Sequence, residues 1–454
     1  MVLNQKMESV LTKTFRRPTR DKPRELAFEI FRDVIRNNQY SNLILPKRLM
    51  ESGLDSRDKS FVTELVYGSI RQIGRNDYIA SKYSSRTWSE VDEGIVDLIR
   101  LGAYQLFDMR VPTHAAVDTT VNLARKILGE SKASFINAMM RKFSSRPLEE
   151  HLEDVSDDSV SSLSIRYSHP EWIINSYRDF ISDAEELKSL LVANNTPVPP
   201  TLVAWPGLSS QEELISHGAV ATKFSRYGAV YQGAPGDLEA IKERRAGVQD
   251  EGSQILVSVF AQAAINNEPW LDLCAGPGGK AALLSYLAKE RFFANEVSIA
   301  RTELVKKVIK PGSKVINADG CVLDSSWLEN TQIGAVLADV PCTGLGALRR
   351  RPEIRWRRQI SDLQSLTTLQ YRLAENAIKI LPNGGIFGYA TCSPHMAETS
   401  AQCATFEKHF PIEKINVEPF MPEGLDGGVR NGFMQLWPHR HSTDAMFLAL
   451  YRKR

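Results

Sequence analysis

Cysteine is scarce in this chain. Five occur among 454 residues and none forms a C-x-x-C pair, which excludes a disulfide framework and a zinc ribbon. No apolar run is long enough to span a bilayer as a helix, so no membrane partner is expected. The opening residues, Met1-Val2-Leu3-Asn4-Gln5-Lys6, lack the apolar core of a signal peptide, and a cytoplasmic protein is expected. Internal repeats are missing, strand-like alternation is missing from residues 22 to 143, and a net charge of +2 gives no global bias toward polyanions. Against these absences stands an ordinary hydrophobic content of 43% in a chain too long for one core, so two or three domains are expected.

The first part reads as helical. Leu26, Ile30, Val34 and Ile35 recur at helical spacing, as do Val62, Leu65, Val66 and Ile70, then Val96, Ile99, Leu101, Tyr104 and Leu106, and finally Val117, Val121, Leu123 and Ile127. Apolar-faced helices joined by short connections imply a helical bundle, placed at residues 1 to 145. An acidic, serine-containing stretch from Arg146 to Ser164 reads as a solvated boundary. Residues 146 to 250 form a small α/β connector with a helix from Asp183 to Ala193. Residues 251 to 454 alternate strand, turn and helix, which predicts a mostly parallel, seven-stranded sheet covered on both faces. Its strands are placed at Trp270 to Cys274, Phe292 to Val297, Lys314 to Asn317, Ala335 to Asp339 and Ile386 to Tyr389. An antiparallel pair, Ile412 to Asn416 with Met446 to Tyr451, completes it. Ser361 and Gln364 suggest a capping box for a long helix running to Ile380.

Chemistry concentrates at strand ends. Cys342, in Asp339-Val340-Pro341-Cys342-Thr343-Gly344, and Cys392, in Ala390-Thr391-Cys392-Ser393-Pro394, each follow a buried-strand run and are stopped by Pro with Gly or Ser. Open parallel sheets bind ligands along that edge. The other three cysteines, Cys274, Cys321 and Cys403, read as chemically inert. The stretch Leu271 to Lys280 carries Cys274, Ala275, Gly276, Pro277, Gly278, Gly279 and Lys280 off the first strand into a helix. Its glycines permit close backbone approach to a ligand. The spacing is not that of a Walker loop, and Ala281 follows the lysine. Glu296 and Asp319 close the next two strands. Glycine loop, acid, acid, in that order, suits a nucleoside-bearing cofactor.

Two thiols at such an edge match methyl transfer to carbon 5 of a pyrimidine. A thiolate adds to carbon 6, carbon 5 takes the methyl of S-adenosylmethionine, a base removes the carbon-5 proton, and the thiolate leaves. Asp339 is placed to protonate, or hydrogen-bond to, ring nitrogen 3. The residues alone leave open which thiol attacks. His395 is the only histidine near either thiol in sequence, so no metal is expected. The run Arg349, Arg350, Arg351, Arg355, Arg357 and Arg358, with Trp356, is a candidate RNA-binding loop. Lys13, Arg16, Arg17, Arg20, Lys22 and Arg24 make a second basic stretch.

The motifs LDLCAGPGGK, ADVPCTGLGALRRRPEIRW and YATCS, in this order, resemble the Sun/Fmu family of RNA cytosine-5 methyltransferases. So do VQDEGSQ (Val248 to Gln254) and the stretch Trp437 to Asp444. ELVYGSIR, RLGAYQL and FINAMMRK in the first part are similar to a NusB-like RNA-binding domain. The resemblance implies a Rossmann-like catalytic domain and a small-subunit ribosomal RNA substrate. It implies that Cys392 is the nucleophile and that Cys342 assists release. It places S-adenosylmethionine on Cys274 to Lys280, Glu296, Asp319 and Asp339. A monomer is expected. The chain departs from the family pattern at Gly276, where a second Ala is usual, at Arg355, where Lys is common, and at Thr201 to Trp205, which replaces a Leu-Arg-Val-Asn. A transfer RNA target, or a non-catalytic RNA-binding factor of antitermination type, are the competing readings.

Overall fold

The computed structural model describes residues 20–454, which divide into two compact units at Ser156/Asp157. Lys13, Arg16 and Arg17 of the basic stretch lie outside the described residues. No described helix is long and apolar enough to cross a membrane.

The first unit is helical: α1 (Lys22–Ile35), α2 (Ser41–Glu51), α3 (Ser56–Arg71), α4 (Ile73–Tyr83), α5 (Glu93–Phe107), α6 (Thr113–Leu128) and α7 (Glu130–Ser144). Asp21, Asp55 and Asp92 accept from backbone N–H groups in the first turns of α1, α3 and α5, satisfying donors the helices leave free. Most of the residues picked out by helical spacing are buried, while Ile127 at the end of α6 is not. The sequence motifs of this unit interlock around α5. The Tyr104 ring lies against Gly68, where a Cβ would meet the ring at 1.8 Å, and the Tyr104 hydroxyl donates to Glu64. Gly102 gives the same clearance to Met140 of α7. Asp97, fully buried on α5, collects Arg36 at 2.8 Å and Arg32 at 3.4 Å. Arg24 is held by Asp21 and Gln105.

The second unit begins with short helices, Val160–Arg166, Glu171–Arg178 and Ala184–Asn195. A four-stranded antiparallel sheet follows, in the order β2 (Val220–Ala221), β3 (Gly228–Val230), β1 (Thr201–Ala204), β4 (Ala246–Val248). β1 is buried throughout, with Leu202 fully inside. That explains one departure from the family pattern: an apolar side chain at this position fills the core.

The last part of the chain is built on a mixed, nine-stranded sheet rather than a seven-stranded one. β5 (Trp270–Asp272), β6 (Phe293–Asn295), β7 (Lys314–Ile316), β8 (Ala335–Asp339) and β9 (Ile386–Thr391) run parallel in the order β7-β6-β5-β8-β9. β13 (Phe447–Lys453) pairs antiparallel with β9, and β10 (Ile412–Ile415) pairs with β13 as the sequence pattern predicts. The two extra strands, β11 (Val429–Arg430) and β12 (Phe433–Gln435), are too short to show a pattern. Helices Glu251–Ala263 and Gly279–Leu287 cover one face; Asp362–Ile380 and Ser400–His409 cover the other. The capping box at Ser361 does not form: its side chain makes no cap bond, and Asp362 accepts from the Gln359 N–H instead.

The connector sheet is fastened to this part by the VQDEGSQ motif. Gln254 Nε2 donates to Leu202 O at 3.0 Å, and Glu251 accepts from the Ser225 amide at 2.9 Å. The Trp205 ring stacks on Tyr286.

Candidate active site

Strand order decides which loops meet. β8 and β9 are parallel neighbours with Asp339 opposite Ala390, so the loops that leave them rise side by side. The sulfurs of Cys342 and Cys392 end 3.4 Å apart, both thiols partly exposed. The loops touch through backbone as well. Gly346 N–H donates to Cys392 O at 2.8 Å, and Gly346 O accepts from Ala445 N–H at 2.9 Å. A Cβ at Gly346 would stand 2.1 Å from Ala445 O and 2.8 Å from Cys392 O, so only glycine permits this approach.

The two sulfurs differ in charge environment. Cys392 is held below the ordinary thiol value by its hydrogen bond with Cys342, helped by Lys280 and Arg351. Cys342 is pushed well up by the same bond, by burial, and by Glu398 and Asp339. The surroundings of the two sulfurs are unequal: Lys280 and Arg351 face Cys392, and Glu398 faces Cys342. Lys280 Nζ contacts Asp339 Oδ2 at 2.8 Å. Burial works against the ammonium, but Asp339 and Cys392 outweigh it and hold Lys280 above its ordinary value. The other cysteines are not activated. Burial raises Cys403 to about 12, raises Cys321 to about 11, and pushes Cys274 well above the ordinary value.

The glycine loop lies at the end of β5, next to the point where the strand order turns outward in both directions. Gly278 adopts φ +117°, open to glycine alone, and starts the helix Gly279–Leu287. Glu296 accepts from Gly276 N–H at 3.0 Å and Ser298 N–H at 2.8 Å. It thereby occupies the space a second alanine would take, since a Cβ at Gly276 would meet Glu296 Oε2 at 2.1 Å. Asp319 is exposed and accepts from Cys321 N–H. Two groups here find no hydrogen-bond partner among the described residues: Asp272 Oδ2, and both polar atoms of the Gln249 side chain. The Gln249 amide lies 3.9 Å from where a Cβ of Gly279 would stand. Burial, with Asp339 nearby, pushes the Asp272 carboxyl up to about 7. A nucleoside-bearing donor fits this edge, because it brings the hydroxyl and amino groups that such acids and orphaned polar atoms lack.

The arginine run is corrected by the structure. Arg355 is completely buried, donating to Ser168 O at 3.0 Å, Asn194 O at 3.1 Å and Asn195 Oδ1 at 2.7 Å. Arg349 is buried between Asp250 at 3.2 Å and Asp444 at 3.0 Å, and Arg350 joins the same pair of acids. These three hold the Cys342 loop to the fold; Arg349 and Arg355 are spent on protein partners, while Arg350 stays partly exposed. Arg351, Trp356, Arg357 and Arg358 stay at least partly exposed. Arg358 Nη2 lies 3.5 Å from Cys342 O. Asp250, Asp444 and Glu398 went unread in the sequence, although Asp250 and Asp444 lie inside quoted motifs. His395 Nδ1 accepts from Ala397 N–H and is turned to its own turn.

Comparison with known proteins gives the family and the fold. Residues 259–452 match the family model for 16S rRNA methyltransferase RsmB/F, and residues 21–145 match the NusB family. A putative methyltransferase of Mycobacterium tuberculosis is 38% identical over 96% of this chain and 98% of its own length. The chain belongs to the RsmB/F family. Ribosomal RNA small subunit methyltransferase B of Cronobacter sakazakii is 31% identical over 87% of this chain and 91% of its own. Among solved structures, the crystal structure of PH0851 superposes with a TM-score of 0.77 at 20% identity, over 96% of this chain and 100% of that one. NSun6 from Pyrococcus horikoshii, solved with SFG, superposes with a TM-score of 0.52 at 17% identity, over 63% of this chain and 98% of that one. The RsmB/F assignment accounts for an RNA methyltransferase that carries a NusB-family domain ahead of a Rossmann-like one.

Proposed function

We propose that the chain is an S-adenosylmethionine-dependent cytosine-5 methyltransferase of small-subunit ribosomal RNA, working in the cytoplasm through a covalent bond between Cys392 and carbon 6 of the target base. The observation that carries this reading is the 3.4 Å contact between two thiols at neighbouring strand ends beside the glycine loop. The Cronobacter sakazakii relative acts on small-subunit ribosomal RNA by its name, and the SFG in the NSun6 structure is an analogue of S-adenosylmethionine.

S-adenosylmethionine, when bound, supplies an electrophilic methyl group. Glu296 and Asp319 would hold its nucleoside, and the loop from Cys274 to Lys280 would cradle the rest. The Cys392 thiolate forms the bond to carbon 6, and Asp339 steadies ring nitrogen 3 as electron density moves to carbon 5. Lys280, bonded to Asp339, keeps that carboxyl aimed and stabilises the thiolate beside it. Once carbon 5 is methylated its proton goes to a base, the carbon 5–carbon 6 double bond re-forms, and Cys392 departs as thiolate. Cys342, 3.4 Å from Cys392, would assist this release. The base has to leave the stack to expose carbon 6, so the target is single-stranded or flipped out. Arg351, Arg357 and Arg358 would meet flanking phosphates, with Trp356 beside them; Arg349, Arg350 and Arg355 are reassigned to holding the loop.

Methyl transfer to ribosomal RNA, with the product base identified by mass spectrometry, tests the proposal. Cys392→Ala is expected to abolish transfer while S-adenosylmethionine binding in calorimetry persists. Unchanged turnover would remove Cys392 from the mechanism.

A further inference from the structure

Glu398 takes no part in the reaction drawn above, yet it is completely buried where the two cysteine loops meet. It closes the short turn Met396–Glu398 after β9. Its Oε1 accepts from Thr343 N–H at 2.8 Å and Gln370 Nε2 at 3.1 Å, and its Oε2 accepts from the Thr343 hydroxyl. Thr343 follows Cys342 in the chain. Its hydroxyl lies 3.0 Å from that of Ser393, which follows Cys392. Gln370 Nε2 also donates to Pro341 O at 3.0 Å, on the other side of Cys342. Tyr389 completes the ring, donating to Gln370 Oε1 at 3.1 Å and Glu398 O at 2.8 Å. One carboxylate is therefore tied to both chain neighbours of Cys342 and, through a hydroxyl pair, to the residue after Cys392.

Charge is distributed in the same sense. Cys342 faces Glu398, Asp339 and Cys392; Cys392 faces Lys280, Arg351, Asp339 and Cys342. Two equivalent thiols 3.4 Å apart would compete for carbon 6 unless something distinguished them. We propose that Glu398 is the positioning residue that makes them inequivalent: it fixes the Thr343 turn against Ser393 so that the sulfurs stay in contact, and it sets a carboxyl group on the Cys342 side of the pair. The proposal rests on the reading that Cys392 is the nucleophile, and it explains why that sulfur attacks rather than its neighbour.

The test reads each thiol separately in the full-length chain, without RNA or donor. Iodoacetamide labelling across pH 6 to 9, resolved by peptide mass spectrometry, gives a pH profile for Cys342 and for Cys392. Glu398→Gln keeps the shape and removes the charge. The wild-type chain is expected to label faster at Cys392; in Glu398→Gln the preference should fall severalfold. Glu398→Asp should restore part of it. In turnover, kcat should drop in Glu398→Gln with KM for RNA unchanged. A folded Glu398→Gln chain with wild-type labelling preference overturns the proposal, because a merely structural role would lower melting temperature and leave both profiles in place. Should Glu398→Gln not fold, Thr343→Val removes only the hydroxyl link to Ser393 and Glu398. It is expected to lower kcat at least fivefold with S-adenosylmethionine binding intact; wild-type kcat there overturns the loop linkage. Labelling is read without methyl transfer, so its failure is distinct from the survival of turnover in Cys392→Ala, which would remove the nucleophile assignment itself.

Discussion

Asp272→Asn is expected to stabilise the catalytic unit at alkaline pH and to do little in acid. Asp272 ends β5 under the glycine loop, completely buried; its Oδ1 accepts from Cys274 N–H at 3.2 Å and its Oδ2 finds no partner among the described residues. Burial, with Asp339 close by, lifts its carboxyl to about 7 from an ordinary 3.8. A carboxyl raised on folding favours the protonated folded chain. Its penalty is therefore absent below the unfolded value, grows as pH rises, and levels off above about 7. At about 1.4 kcal/mol per pH unit, the full penalty is on the order of 4 kcal/mol, of which about a third is already present at pH 5. Asparagine matches the shape and cannot ionise. Thermal melting of the full chain at pH 5 and pH 8, following the transition that S-adenosylmethionine raises, reads the difference. The variant's advantage over wild type should be larger at pH 8 by an amount worth several °C. Parallel pH dependence in the two chains would show that burial does not raise the Asp272 carboxyl.

Three further outcomes follow from the packing. Arg355→Met, which removes a buried guanidinium and its bonds to Ser168, Asn194 and Asn195, should destabilise the chain by about 3 kcal/mol in denaturant melts. It should leave the salt dependence of RNA binding unchanged, whereas Arg351→Ala should reduce the slope by about one phosphate contact. Asp250→Ala leaves Arg349 and Arg350 with half their acidic partners and should cost about 3–5 kcal/mol; near-wild-type melting would show that the cluster does not hold the loop. Gly346→Ala drives a methyl into Ala445 O and Cys392 O. It should separate the two sulfurs, seen as loss of methyl transfer with donor binding retained; normal turnover would contradict the close approach.

The sequence reveals what local pattern encodes. Each parallel strand is an apolar run closed by Pro, Gly or an acid, so β5 to β9 and the loops carrying Cys342 and Cys392 are visible without coordinates, and so is the β10–β13 pair. The helical unit is visible for the same reason, through a 3.6-residue period. Long-range partnership is not visible. Glu398 is separated from Thr343 by 55 residues, and nothing near it marks it as more than a surface acid. Arg349 meets Asp250 and Asp444, 99 and 95 residues away, so a run of arginines looks like an RNA-facing stripe until its acids are seen. Arg355 is misleading for the same reason, its partners being backbone and amide oxygens that carry no charge signature. The unequal surroundings of the two thiols are likewise a property of the packed site, since Lys280, the Asp339 to Arg351 stretch and Glu398 come from three separate segments.

The most direct measurement is the covalent bond itself. Cys342→Ala protein incubated with S-adenosylmethionine and its RNA substrate should accumulate a protein–RNA adduct that survives a denaturing gel. After nuclease digestion, peptide mass spectrometry should find a methylated cytidine nucleotide on Cys392, and the double variant with Cys392→Ala should show none. An adduct attached at any other residue, or no adduct from a variant that still binds both ligands, would contradict nucleophilic attack by Cys392.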